Sequence, residues 1–341
     1  VDTFHDVFYH EKDEHNELRS GREWFGERFD LTRQHSIEID IPGIATAEPI
    51  RMVSDVMASS ANAASFRISF NDQPVADQLV PAIPNTTYGA KGRQRRDTIT
   101  FDVAAVNATQ RSRQKITYSF TPGSAGRSVG YLNFFSIHVL RSLQLYGDQT
   151  LFRNASASGL TEYRISNAPA NVSIWNISNP YEPVQQNFNS DGSVIKFSAH
   201  AEVESVPEFI LFNTKHLSPQ LAGAVENQNL RGKSAPNFLV VTHPDFLAEA
   251  QRLAAHRDAV NNWTSLVVTT EQIYNEFSSG RQDVSAIRDY VKHLYDKNPQ
   301  ALKVLLLFGK CSYDFKDRIP DNTNFVPTYE SRNSLSPLET Y

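Results

Sequence analysis

The sequence is poor in cysteine and has no long apolar run. Cys311 is the single cysteine among 341 residues, which excludes an internal disulfide framework and any metal site built from several thiolates. The longest apolar run, Val304–Phe308, is far shorter than the ~20 residues that a membrane helix needs. A formal net charge of −5 argues against nucleic-acid binding, which favours a basic face.

Several local signatures are missing as well. The chain has no Walker phosphate loop, and its first predicted strand-to-helix turn, Thr242-His243-Pro244-Asp245, lacks the glycines of a dinucleotide fingerprint. The first residues carry neither the basic nor the apolar region of a signal peptide, so we expect that any such peptide has been removed. The length and the ordinary globular composition predict two domains.

Residues 1–232 are predicted to form an all-β amino-terminal domain, a β-sandwich or jelly-roll-like fold. Period-two alternation of apolar and polar residues, typical of half-buried strands, recurs between turn-forming clusters. It is visible at residues 36–41, 65–70, 98–103, 115–120 and 172–177. The longest candidate strand, residues 129–145, is long enough to bend across both sheets. No long helix is expected between Ile37 and Phe212.

Residues 233–341 are predicted to begin an α/β domain, after a polar stretch at residues 227–234 that resembles a linker. Short apolar strands at 237–241, 266–268 and 304–308 alternate with helical patterns, which indicates a parallel, doubly wound sheet. Thr242, Thr270 and Asp283 are the predicted helix caps.

This second domain ends early in the sequence. The third strand is followed only by a mostly polar segment to Tyr341. Because three parallel strands cannot cover themselves, we expect the chain to be a fragment, or its remaining strands to come from another polypeptide. Apolar surface should then be exposed around Val304–Phe308.

His243 and Cys311 follow the first and third of these strands. Ligands of open α/β sheets bind beyond the carboxyl ends of the strands, so the pair is a candidate base and nucleophile for attack on a carbonyl. The alternative is structural: Cys311 packs as a small hydrophobe and His243 fills a helix N-terminus.

Two polar clusters have both a functional and a plain interpretation. The loop at residues 314–324 gathers oxygen ligands that suit calcium, although its spacing favours a solvated loop: Asp314, Asp317, Asp321, Asn322 and Asn324. A basic loop is either a solvated tip or a landing site for an anionic polymer or membrane surface. It comprises Lys91, Arg93, Arg95 and Arg96, with Arg111, Arg113 and Lys115 further on.

Several runs resemble the gingipain-like cysteine peptidases, of peptidase C25 type, and most closely the sortases of the Bacteroidetes type IX secretion system. The resemblance lies in residues 237–247, which contain Val240-Val241-Thr242-His243-Pro244, and in residues 268–280, 286–289, 307–316 and 322–331. Residues 7–12 and 20–26 resemble the amino-terminal region of the same proteins.

The resemblance implies the first half of a caspase-like sheet in a surface-exposed enzyme associated with the outer membrane. Such an enzyme removes the C-terminal signal domain of secreted cargo and attaches the cargo to anionic lipopolysaccharide through a thioester. It implies a PorV-like outer-membrane β-barrel as partner, no cofactor and no nucleic acid.

The resemblance also bears on the catalytic residues. The family's Cys–His dyad follows later strands, beyond Tyr341, and Cys311 stands where relatives carry a small residue in a Gly-Asp-Gly-Ser-Tyr-Asp type turn. We therefore expect no catalytic residue in this chain and no activity of the chain alone. The alternative function is a non-catalytic fragment that docks onto the barrel and onto surface polysaccharide.

Overall fold

The computed structural model describes residues 1–124, 126–169, 171–202, 205–213, 218–221 and 223–339. The chain divides into two compact units. The first comprises Val1–His15 and Trp24–Gln220, and the second comprises Asn16–Glu23 and Leu221–Tyr341.

The first nine strands of the first unit form a sandwich of two antiparallel sheets. One sheet has the order β1–β9–β4–β7, with β2 also paired to β9, and the other has the order β3–β8–β5–β6. Buried side chains of both sheets, such as Met52, Ile137, Phe66 and Tyr118, share one core. The strands are β1 (Thr3–Glu11), β2 (Arg28–Phe29), β3 (Gln34–Asp40), β4 (Ile50–Ser60), β5 (Ala64–Phe70), β6 (Gln73–Val80), β7 (Arg93–Phe101), β8 (Arg113–Thr121) and β9 (Ser128–Ser142).

The next seven strands form a smaller sandwich with its own core. A four-stranded sheet in the order β10–β16–β12–β13 packs on a three-stranded sheet in the order β11–β15–β14. Their shared core is rich in aromatic rings, with Phe152, Tyr163, Phe197 and Phe209 in mutual contact. The strands are β10 (Gln149–Phe152), β11 (Gly159–Ile165), β12 (Val172–Asn176), β13 (Val184–Gln185), β14 (Asn189–Asp191), β15 (Val194–Ala201) and β16 (Phe209–Asn213).

Strand β9 differs from its prediction. Its partners β1, β2 and β4 all belong to one sheet, so the expectation that it bends across both sheets is wrong. The strand is 15 residues long and lies inside its sheet, between the long strands β1 and β4. Leu143, directly after the strand, enters the core of the smaller sandwich.

The predicted fold class is confirmed. Between Ile37 and Phe212 the described residues contain strands and a single 3-10 turn, Ala108–Gln110, and no long helix. After them come helices and a parallel sheet.

The second unit contains three parallel strands in the order β18–β17–β19, with helices on both faces. Leu239 and Val241 of the central strand pack toward α2 and α3, whereas Phe238 and Val240 pack toward α1. The central strand is covered on both faces, which explains why its residues are apolar from Phe238 to Val241. The elements are β17 (Phe238–Thr242), α1 (Leu247–Asn261), β18 (Ser265–Thr269), α2 (Thr270–Phe277), α3 (Val284–Lys297) and β19 (Val304–Phe308).

The helix caps are partly as predicted. Asp283 caps α3 by accepting a hydrogen bond from the Ser285 amide. The other two predictions are wrong by one residue. His243, not Thr242, caps the 3-10 turn before α1, and Thr269, not Thr270, forms a capping box with Gln272. His243 directly follows the last residue of β17, and Thr269 is itself the last residue of β18, so the apolar pattern of the strands does not locate either cap.

The predicted linker is in fact docked on the second unit. Glu276, near the end of α2, accepts hydrogen bonds from the amides of Leu230 (2.6 Å) and Arg231 (3.0 Å). The Leu230 side chain is 4% exposed and belongs to the core around α2 and α3. Leu230 and Glu276 therefore anchor residues 227–234 to the second unit, although the composition of this stretch is typical of a loop.

Strand β19 lies at the edge of its sheet, and its side chains are exposed as predicted. Val304, Leu305 and Leu307 retain 38%, 41% and 40% of their accessible surface. Among the helices of the described residues, none is long and apolar enough to span a membrane.

Candidate functional site

The carboxyl edge of the parallel sheet places His243 directly after β17. Thr242, fully buried, donates a hydrogen bond from Oγ1 to the carbonyl of Phe308 at 3.0 Å, which ties the ends of β17 and β19 together. The His243 ring then packs edge-on against Phe325, with 5.2 Å between ring centroids. Its Nδ1 accepts the Asp245 amide at 3.3 Å, so only Nε2 is left for another partner.

Cys311 lies just beyond β19, next to a tight approach of two segments. A Cβ on Gly309 would lie 2.7 Å from Cγ2 of Val326, so only glycine fits at this position. The carbonyl of Lys310 accepts the Phe325 amide at 2.9 Å. Cys311 itself is exposed and has a free thiol.

The structure does not join His243 to Cys311. In the described part of the chain, no hydrogen bond, ion pair or ring contact links them, and the Nδ1 atom of His243 is occupied by the backbone. The surroundings of His243 are those of a helix cap with an aromatic neighbour, Phe325, on its ring. A base must lie within hydrogen-bond reach of the proton that it removes.

Asp314 organises the loop in which calcium ligands were considered. Its carboxylate is fully buried and accepts hydrogen bonds from the Ile319 amide (2.7 Å) and from the Arg318 guanidinium (3.3 Å). Asn322 donates to the Asp314 carbonyl and to Asp317, each at 2.6 Å. The carboxylate oxygens of Asp314 and Asp317 therefore accept hydrogen bonds from N–H groups of the same loop. Across the described ranges, no three His, Cys, Asp or Glu residues form a group that could hold a metal ion.

The edge also receives a segment from far away in the sequence, which sequence analysis did not predict to lie here. Gly21 donates its amide to Glu330 at 3.0 Å, and Glu23 donates its amide to the buried Ser334 hydroxyl at 2.9 Å. Gly21 has φ +73°, and a Cβ there would lie 2.3 Å from the Asn333 carbonyl oxygen. The only sequence signal of this docking is that glycine, inside an otherwise polar run.

The basic residues do not form one loop tip, so that prediction is wrong. Arg93, Arg95 and Arg96 lie on β7, where β4 supplies the backbone partners, and successive side chains point to opposite faces. Arg96 pairs with buried Asp55 at 2.7 Å. The remaining basic residues mostly have local partners: Lys91 donates to the Thr87 carbonyl, Arg95 pairs with Asp97, Arg113 with Asp40 and Lys115 with Asp72, while Arg111 is exposed.

Comparison with known proteins supports the sequence resemblance. Residues 231–341 match the sequence model of Peptidase family C25. The fold matches the crystal structure of dimeric latent PorU from Porphyromonas gingivalis with a TM-score of 0.81 and 22% identity. This match covers 98% of the chain and 33% of that protein, so the chain spans about a third of its length.

Other solved structures resemble the chain only weakly. An insecticidal delta-endotoxin of Bacillus thuringiensis matches with a TM-score of 0.25 and 13% identity, over 33% of this chain and 19% of the toxin. A carbohydrate-binding module in complex with calcium and xylotriose matches with a TM-score of 0.22 and 11% identity, over 38% of this chain and 98% of the module. No curated protein sequence matches the chain.

Proposed function

We propose that this chain is the amino-terminal part of a type IX secretion sortase, a cysteine peptidase and transpeptidase at the cell surface. The enzyme removes the C-terminal signal domain of secreted cargo and attaches the cargo to anionic lipopolysaccharide. One observation carries the proposal: two β-sandwiches precede a parallel α/β sheet in one chain, and 98% of the chain follows the fold of PorU. The match of residues 231–341 to Peptidase family C25 supports the chemistry.

The role of this chain within that enzyme is to position rather than to react. His243 has Nδ1 bound to the backbone, and no hydrogen bond or ion pair links it to Cys311 in the described part of the chain. This geometry supports the proposal that the nucleophile and base of the reaction belong to the rest of the enzyme. Secreted cargo and a PorV-like outer-membrane barrel are the proposed partners.

The test is a deletion of the encoding gene in the source bacterium. Secreted cargo is expected to keep its C-terminal signal domain and to lose its attached lipopolysaccharide, both visible as mass changes on gels of surface proteins. The full-length gene should restore both, and the same gene carrying Cys311→Ala should restore them equally well. Normal cargo processing in the deletion strain would refute the proposal.

The alternative is a non-catalytic docking fragment that binds an outer-membrane barrel and surface polysaccharide and performs no chemistry itself. It is favoured by the same lack of a dyad between His243 and Cys311. The deletion experiment separates the two, because loss of a pure docking protein leaves cargo cleavage intact and changes only where the cargo is retained.

A further inference from the structure

The carboxyl ends of the three parallel strands lie at one edge of the sheet in the second unit, where open α/β sheets bind their ligands. Two side chains at these strand ends already have partners inside the protein. Thr242 donates to the Phe308 carbonyl, and Thr269 accepts the Gln272 amide in the capping box. His243, directly after the central strand, is the next side chain that a ligand at this edge would meet.

The hydrogen bonds of His243 determine which ring nitrogen carries a proton. Nδ1 accepts the Asp245 amide at 3.3 Å, so in the neutral ring the proton is on Nε2. The Asp245 carboxylate, 69% exposed, lies 3.4 Å from the same nitrogen. In the protonated ring, which could pair with that carboxylate, both nitrogens carry a proton. Nε2 is therefore a hydrogen-bond donor in both states.

This donor is not used within the described part of the chain. No described residue accepts a hydrogen bond from Nε2, and the His243 side chain is 31% exposed. The ring is held in place by Phe246 and Phe325, with 6.2 and 5.2 Å between ring centroids, and these two rings also contact each other. A donor that is already fixed loses less conformational freedom on binding than a mobile one.

We propose that Nε2 of His243 donates a hydrogen bond to a main-chain carbonyl of the peptide substrate. This inference rests on the proposed peptidase function, in which the dyad follows later strands of the same parallel sheet. The carboxyl ends of those strands share the edge with His243. An extended peptide that lies along this edge presents a carbonyl about every 3.3 Å, whatever its side chains are.

The half-buried rings beside the donor suit the same ligand. Phe246 and Phe325 offer an apolar contact to a substrate side chain next to the bound carbonyl. Cys311 is also exposed near this edge, but a thiol is only a weak hydrogen-bond donor. His243 is therefore better suited than Cys311 to hold a carbonyl oxygen.

The alternative is that His243 only caps the helical turn before α1. In that case its acceptor, Nδ1, is important and its donor, Nε2, is not. Two variants separate these roles. His243→Asn keeps an acceptor near the position of Nδ1, at a preferred capping residue, but does not reach the position of Nε2. His243→Gln reaches the position of Nε2 with an amide donor and loses the cap.

The test measures cleavage of a quenched-fluorescence peptide, which spans the junction of a cargo protein and its signal domain, by the full-length enzyme. His243→Asn should raise KM about tenfold and leave kcat unchanged, because a hydrogen bond made equally in the bound substrate and in the transition state contributes only to binding. Its melting temperature should equal that of the unaltered enzyme.

His243→Gln should show the opposite pattern, a lower melting temperature with a KM close to that of the unaltered enzyme. His256→Asn makes the same replacement at an exposed histidine of α1 and is the control, which should change neither KM nor kcat. A second measurement does not depend on turnover. NMR spectra of the 341-residue chain with ¹⁵N-labelled histidine should show the proton of the neutral His243 ring on Nε2.

Three results would overturn the proposal. The first is a neutral ring with its proton on Nδ1, which leaves Nε2 nothing to donate. The second is an unchanged KM in His243→Asn, and the third is a KM that rises in His243→Gln but not in His243→Asn, which would leave only the cap. A lack of cleavage by the unaltered full-length enzyme would refute the proposed function together with this contact, whereas an unchanged KM refutes the contact alone.

Discussion

At the scale of single residues, the buried carboxylate of Glu27 has a strongly shifted pKa. It is 7% exposed and lies 3.0 Å from His10 Nε2 and 3.2 Å from Lys12 Nζ. Burial on its own raises the pKa of Glu27, but hydrogen bonds from His10, its own backbone amide and Lys12 outweigh burial and bring the pKa to about 2. The folded protein therefore holds this group ionised far below its usual range.

Glu27→Gln should change how stability depends on pH. Because the folded pKa is depressed, the carboxylate stabilises the fold above pH ~4.5, and this contribution of about 3 kcal/mol is lost as pH falls toward 2. Urea unfolding between pH 7 and pH 3 should show a shallower loss of stability in Glu27→Gln than in the unaltered chain. Glu226→Gln, at an exposed position, is the control. Identical pH profiles for all three proteins would contradict the assignment.

Gly130 is a residue whose role is purely steric. A Cβ there would lie 2.6 Å from Cζ of Phe66 and 2.8 Å from Cδ2 of Phe120, two rings already in contact inside the larger core. Gly130→Ala should therefore cost about 1–3 kcal/mol of unfolding free energy. Gly223→Ala has open space around the new methyl group and should be nearly neutral. Equal stability of both variants would show that the rings move aside freely.

At the scale of elements, the helix caps give a direct test of where α2 begins. Thr269→Ala removes the side-chain oxygen that accepts the Gln272 amide and should cost about 1 kcal/mol, seen as faster amide hydrogen exchange in Thr270–Phe277. Thr269→Ser keeps that oxygen and should exchange like the unaltered chain. Unchanged protection in Thr269→Ala would mean that the capping box does not stabilise the helix.

The edge strand β19 should govern association of the isolated chain. Replacing Leu305 and Leu307 with Lys places charge on an edge whose apolar side chains are exposed, which discourages edge-to-edge pairing. Light scattering should show slower aggregation with little change in melting temperature. Val260→Lys alters another exposed apolar residue, on α1, and should leave aggregation as it was. If that control slows aggregation equally, the effect is one of net charge.

Alternation in the sequence predicted strands wherever one face of the strand is buried, as in β5 and β8. The start of β7 was missed because Arg93, Arg95 and Arg96 are polar and the strand lies at a sheet edge, where pairing with β4 rather than burial defines it. The division of the β region into two cores was missed for another reason. Period two reports which face of a strand is buried but not which core it faces.

The candidate site was predictable only in part. The strand ends that carry His243 and Cys311 follow from the apolar runs, and β17 and β19 are direct neighbours in the sheet. The surroundings of His243 depend on the Phe325 ring and on the Asp245 amide. The sequence pattern around His243 does not predict the contact with Phe325.

At the scale of the whole molecule, we expect the 341-residue chain to lack peptidase and transpeptidase activity. A quenched-fluorescence peptide that spans the junction of a cargo protein and its signal domain should remain intact with the chain and be cut by the full-length enzyme. Cys311→Ala should leave the full-length rate unchanged. Cleavage by the chain that disappears in Cys311→Ala would instead assign the nucleophile to this position.

The docking of Asn16–Glu23 among residues near the other end of the sequence has a consequence for synthesis. Gly21 and its partner Glu330 are separated by 309 residues, so the segment leaves the ribosome long before the groups that bind it exist. At about 5–20 residues per second, that interval lasts roughly 15–60 s. During translation both sandwiches can form before the segment Asn16–Glu23, which interrupts the first unit in sequence, has its binding partners. The segment can therefore adopt its final conformation only after Glu330 and Ser334 have been synthesised.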